Sequence, residues 1–148
     1  MHLLSRLADG EVLILDGAMG TSVHALDLPL SAYDGRENCP EILNLTRPDA
    51  IEEIHRSFLA AGCDAVETNP FGASRHVLAE FDLADRAYEI NVAAAHAARR
   101  AAEWAATPAQ PRYVVGSIGP GTKLITLRQI DYDTMLDSYF EQVRGLLD

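Results

Sequence analysis

Three short apolar runs divide this chain, and each ends on polar or glycine-rich residues. Val12 to Leu15 stops at Asp16-Gly17. Asp64 to Asn69 passes from Ala65-Val66 to Glu67-Thr68-Asn69. Tyr113 to Ile118 runs into Gly119-Pro120-Gly121. Short apolar runs bounded by turn signals read as buried strands. Between them the period lengthens to that of a helix. Ile51, Ile54, Phe58 and Leu59 share one face of a helix opened by Thr46-Arg47-Pro48-Asp49 and closed by Gly62. There Thr46 is expected to cap, Pro48 to fill the first turn and Asp49 to face the positive end of the dipole.

Ser74 to Phe81 reads as a short helical piece. Ala84 to Ala106 reads as a long alanine-rich helix closed by Thr107-Pro108, with Ala87, Ala94, Ala98 and Ala102 forming a close-packing face. Tyr132 to Leu147 reads as a third long helix with Leu136, Tyr139, Val143 and Leu146 on one stripe. A further short helix, His2 to Ala8, precedes the first strand and ends at Gly10. The stretch from Gly17 to Leu45 shows no clear period and reads as a long irregular loop, a kind of loop that is usually functional or disordered.

Strand and helix thus alternate three times, which predicts an α/β fold with a parallel sheet and right-handed crossovers. The 148 residues suffice for one domain with a core. A net charge of −10 argues against nucleic acid, whose binding needs Lys and Arg to neutralise phosphates. No apolar stretch approaches a membrane span, and Met1 to Gly10 lacks the apolar region of a signal peptide. Cys39 and Cys63 lie far apart and form no C-x-x-C pair. Together these features predict a cytoplasmic protein with two free thiols.

In parallel α/β folds the ligand sits at the carboxyl ends of the strands. Asp16 is therefore the leading candidate, as an exposed rim carboxylate able to pair with an ammonium group. The amides of Gly17 and Ala18 are placed to hold a carboxylate. Glu67 and Asn69 form a second contribution to the same rim, with Phe71 either walling the pocket or joining the core. For each of these, the competing reading is a turn residue bonding nearby backbone.

Gly116 to Lys123 reads G-S-I-G-P-G-T-K, close to a phosphate loop but with its last two residues exchanged and no immediate helix after it. It reads as a strand-end turn, with phosphate or nucleotide binding as the alternative. The five histidines show no metal-ligand spacing; His55 and His96 fall on helices as surface or core residues.

Four segments together carry a resemblance. Asp16-Gly17-Ala18-Met19-Gly20-Thr21, Glu41-Ile42-Leu43-Asn44-Leu45-Thr46-Arg47-Pro48, Glu67-Thr68-Asn69-Pro70-Phe71-Gly72-Ala73 and Gly116-Ser117-Ile118-Gly119-Pro120 occur in that order. They resemble the homocysteine-binding domain of the homocysteine S-methyltransferase family, most nearly its cobalamin-dependent members. The resemblance implies a TIM (β/α)8 barrel, of which residues 1–148 would form the N-terminal portion, about three parallel βα units. It implies methyl transfer to homocysteine giving methionine, with Asp16, Gly17, Ala18, Glu67 and Asn69 binding substrate.

The resemblance also implies zinc and cobalamin for the complete enzyme. The family's zinc ligands are cysteines, including an adjacent pair in a glycine-rich strand end, and no such segment occurs here. A strand-end glutamate of the next βα unit is also absent, and Pro70 stands where the family more often has threonine. The chain is accordingly expected to bind no metal or cofactor, to be inactive by itself, and to self-associate or dock onto the rest of the barrel. A non-catalytic self-associating module is the other reading.

Overall fold

The computed structural model describes residues 3–69 and 71–148. The His2 end of the predicted first helix and the Pro70 substitution lie outside them. In chain order the elements are α1 (Leu3–Ala8), α2 (Met19–Ala25), α3 (Leu43–Thr46), α4 (Pro48–Ala61), β1 (Ala65–Glu67), α5 (Arg75–Leu78), α6 (Ala87–Ala105), β2 (Tyr113–Val115) and α7 (Tyr132–Leu147), with short 3₁₀ turns between them. The two strands pair in parallel, Ala65 against Tyr113, Val66 against Val114 and Glu67 against Val115. Residues 12–16 run along the other side of β1.

That third run is the first correction. Val12 to Leu15 does not form a full strand but makes a single parallel bridge, Leu15 to Ala65. The Ile14 amide donates to the Asp64 carboxylate at 3.0 Å, so a side chain stands where a ladder carbonyl would. Val12 is 88% and Ile14 61% exposed, so little packs over this face of the run to hold it in register. A strand is stabilised by what covers its faces as much as by its own propensity. The fold is thus mixed α/β with a two-stranded parallel sheet and one bridged neighbour.

The second correction concerns residues 17–45. The expected loop folds into α2, two 3₁₀ turns and the start of α3. It supplies core: Val23, Leu43, Ile51, Ile54 and Ala97 form one cluster, flanked by Met19, Leu28 and Tyr33. Pro29 and Pro40 open the two turns, so the segment is turn-built rather than periodic, which hid it from pattern reading.

The main helices follow their punctuation. Pro48 occupies the first turn of α4, and Gly62 ends it at φ +113°, a left-handed conformation that glycine adopts without penalty. Thr46 does not cap α4. Its hydroxyl donates to the carbonyls of Ala32, at 2.6 Å, and Ile42, at 3.2 Å, tying the upstream turns to α3. Helix α6 buries Ala94, Ala97, Ala98 and Ala101 completely, letting α4 and α7 approach it closely. Helix α7 spans the predicted residues, but its buried positions are Ser138, Gln142 and Gly145, not the expected apolar stripe. Among the described residues no helix is long and apolar enough to cross a membrane.

Candidate functional site

The site sits where residues 12–16, β1 and β2 end side by side. Parallel pairing sends all three ends to one edge, and hydrogen bonds knit them there. The Asp16 amide donates to the Ala65 carbonyl at 3.1 Å. The Thr68 amide donates to the Val115 carbonyl at 3.0 Å, and the Ser117 amide donates to the Thr68 hydroxyl at 2.9 Å. A cavity of about 230 Å³ opens over this edge, and Asp16, Gly17, Ala18, Glu67 and Asn69 all line it, with Ser117 and Phe71 among their neighbours. The structure therefore brings together all five residues singled out from sequence, across more than fifty positions of chain.

Their individual settings differ from expectation. The Asp16 side chain is only 3% exposed, so it is not a rim carboxylate. One of its oxygens accepts the Glu67 amide at 2.8 Å. The other faces His55 Nδ1 at 3.8 Å, beyond hydrogen-bond distance. Glu67, by contrast, is exposed and takes a 3.4 Å hydrogen bond from the Ser117 hydroxyl, so it is the open carboxylate of the pair. The Asn69 side-chain Nδ2 donates to the Pro40 carbonyl at 3.0 Å, bracing the turn on the far wall.

Ala18 adopts φ +52° and ψ +30°, a left-handed conformation that costs a non-glycine residue about 1 kcal/mol. Such strain concentrates at functional sites. Helix α2 starts immediately after it, and the first amides of a helix have no intrahelical acceptor. Phe71 is exposed and walls the cavity rather than joining the core, while its carbonyl accepts the Gly119 amide at 2.8 Å.

A larger cleft of about 720 Å³ adjoins, sharing Gly20, Pro40 and Phe71 with the first. Glu41 borders it, almost fully buried, and burial raises its carboxyl above the ordinary range. The Gly116 to Lys123 turn does not make a phosphate site: Leu124 is extended, a 3₁₀ turn follows, and α7 starts only at Tyr132. Its glycines serve packing instead, since a Cβ on Gly121 would collide with His76 Nε2.

Among the described residues no three His, Cys, Asp or Glu side chains gather as a metal site. Cys39 and Cys63 do not fit a zinc centre. Cys39 is buried with Ile42, Leu78 and Ile90, and Cys63 with Leu59, Val66 and Ala98, in separate clusters. Burial pushes the Cys39 thiol up to about 11 and raises that of Cys63. Both keep the proton that a thiolate ligand must lose.

His55 was legible in sequence only as a core or surface residue. Its position four places after Ile51, on the apolar face of α4, was the available signal.

A parallel sheet edge with two carboxylates over a small cavity is a candidate ligand site in an α/β protein. The sequence model of the homocysteine S-methyltransferase family matches residues 13–148, and the chain belongs to that family. It is 48% identical over 137 residues to a methionine synthase of Mycobacterium tuberculosis and 46% identical over 146 residues to that of Mycobacterium leprae. These alignments cover 93% and 99% of the chain but 12% of each relative. Its fold is similar to that of a homocysteine methyltransferase from Escherichia coli in metallated form, with TM-score 0.73 and 23% identity, covering 98% of this chain and 53% of that one.

Proposed function

We propose that this chain carries the amino-acid end of a homocysteine pocket, within a methionine synthase-like domain that methylates homocysteine to methionine. The observation that supports it best is the convergence of Asp16, Gly17, Ala18, Glu67 and Asn69 around one cavity at the strand ends. Asp16 and Glu67 supply negative charge for the substrate ammonium. The Gly17 and Ala18 amides supply donors for its carboxylate. Asn69 acts on this reading through the turn it braces.

In this reading the chain is the first part, about three βα units, of a (β/α)8 barrel. The arrangement of residues 12–16, β1 and β2 in chain order, with α4 and α6 packed beside them, accords with such a start. Zinc and cobalamin belong to the complete enzyme, and no step at the substrate sulfur is assigned to these residues. By itself the chain is inactive. Two buried free thiols accord with a reducing, cytoplasmic location.

The test is homocysteine titration by calorimetry, in the chain and in a complete family domain containing it. Losing a charge-assisted hydrogen bond removes about 1.5–3 kcal/mol, or roughly 10- to 150-fold in affinity. Asp16→Asn and Glu67→Gln should each show a loss of that order in the complete domain. Affinity unchanged in both variants sinks the reading. Because Asp16 is buried and bonded to the Glu67 amide, Asp16→Asn should also lower stability, unlike an exposed rim residue.

A further inference from the structure

Beneath the pocket lies a polar side chain that the proposed function leaves idle. His55 is on the inward face of α4, with a side chain 0% exposed. Neither ring nitrogen has a hydrogen-bond partner. Leaving a buried donor unsatisfied costs about 1–3 kcal/mol, so a fully buried imidazole needs an acceptor close by. One is present. Nδ1 lies 3.8 Å from Asp16 Oδ2, the oxygen that the Glu67 amide leaves free. That gap is about 1 Å longer than a charge-assisted hydrogen bond, within reach of a small rotation of either side chain.

We propose that His55 is the positioning residue for Asp16, its Nδ1–H donating to Asp16 Oδ2. The carboxylate is then gripped from two sides, by the Glu67 amide and by the imidazole. A carboxylate that is 3% exposed has little access to water, so its oxygens need donors from the protein. The Cys63 thiol, held up by burial and next by the Asp16 charge, stays neutral and so brings no charge to balance the carboxylate. A functional group is held best when other side chains lock its rotamer, and α4 provides a rigid mount for this one. The inference rests on Asp16 being the ammonium anchor. It adds that a histidine outside the cavity lining sets how that anchor is held.

The experiment has two arms. In the ¹⁵N-labelled chain, long-range ¹H–¹⁵N spectra read the ring tautomer directly. The expected result is His55 protonated on Nδ1, with its ring resonances moving on Asp16→Asn. A ring protonated on Nε2, or a spectrum indifferent to Asp16→Asn, overturns the proposal. The second arm measures homocysteine affinity in the complete domain, with unfolding temperature read alongside. His55→Leu should weaken binding about tenfold or more, the loss of one hydrogen bond to a charged group. His55→Asn, which keeps a donor near Nδ1, should restore most of that affinity. Equal losses in two folded variants overturn the positioning role. If His55 responds to Asp16→Asn in the spectra while that variant binds homocysteine normally, the pairing stands and the pocket reading falls. If His55→Leu does not fold, the tautomer and the Asn variant still decide.

Discussion

Helices α6 and α7 pack against each other, yet they bury opposite kinds of surface. In α6 the apolar and small residues face inward: Ala87, Ile90, Ala94, Ala97, Ala98 and Ala101 are all completely buried. In α7 the inward face is Ser138, Gln142 and Gly145. Five of its large apolar residues, Tyr132, Leu136, Phe140, Val143 and Leu147, fall on one stripe at helical spacing, and all five are exposed, while Met135, Tyr139 and Leu146 are half-buried. Phe140 reaches 68%. The two faces of α7 lie on nearly opposite sides of the helix.

What holds α7 in place is therefore polar and close-range. The Ser138 hydroxyl accepts the His76 amide at 3.0 Å and sits 2.8 Å from His76 Nδ1. The Tyr139 hydroxyl donates to the Gly119 carbonyl at 2.7 Å, and Arg144 stacks over the Tyr88 ring at 4.7 Å. One helix is fixed by burial, the other by contacts between small and polar groups that leave its apolar stripe available.

The strongest way to break this comparison is to cut into α6. Ile90 is fully buried among Cys39, Ile42, Leu78 and Leu83. Ile90→Ala should destabilise by about 2–5 kcal/mol, the range for truncating a core aliphatic residue. Urea unfolding checks it, and a loss under 1 kcal/mol would mean that α6 is not the load of the core. Gly145 is next. A Cβ there would lie 2.8 Å from the Tyr88 carbonyl and 2.9 Å from Asn91 Cβ. Gly145→Ala should cost about 1–3 kcal/mol by overpacking, and should release the Arg144–Tyr88 contact, visible in tyrosine fluorescence or in NMR shifts of the Tyr88 ring.

The same contrast explains what the sequence could tell. The alanine face of α6 was legible because its composition admits only close packing. Helix α7 was legible as amphipathic, but the stripe expected at Leu136, Tyr139, Val143 and Leu146 is split: Tyr139 and Leu146 are half-buried, while Leu136 and Val143 belong to the exposed stripe. Strand ends 12–16, 64–69 and 113–118 announced the site through their apolar-to-polar change, and they do converge. The burial of Asp16 was not legible. It depends on the Glu67 amide, 51 residues away, and on His55 of α4, contacts that exist only once the sheet edge has formed. The core made by residues 17–45 escaped because turns, not a period, build it.

Glu41 sharpens the comparison on the α6 side, where charge should be tolerated poorly. Its carboxyl is raised by burial, although the Gly72 amide offsets part of that. The folded state therefore favours the protonated form more than the unfolded chain does. Between the ordinary carboxylate value and the raised one, the native state binds more protons, so stability falls as pH rises through that window. Glu41→Gln keeps an acceptor for the Gly72 amide and removes the penalty. It should raise the unfolding temperature at pH 7 and leave it unchanged near pH 4. An equal shift at both pH values would remove burial of charge as the cause.

The smallest effect on folding, and the most telling for α7, is expected from Phe140→Ser. Phe140 lies on the exposed stripe, with only about a third of its surface covered, so replacing it removes little buried surface. Substitutions at such positions usually fall within about 0.5 kcal/mol. Its effect should appear in association instead. A contiguous apolar patch is a contact surface, and the stripe from Tyr132 to Leu147 is long enough to lie against another helix. The proposal that this chain self-associates or docks onto the rest of a barrel places that contact here. Light scattering at micromolar concentration should show oligomers of the unsubstituted chain and fewer in Phe140→Ser, while urea midpoints at low concentration coincide. A monomer that unfolds cooperatively at every concentration would show that α7 needs no partner over its stripe. A large loss of stability in Phe140→Ser would show instead that the stripe is buried, and that the two helices are held in the same way after all.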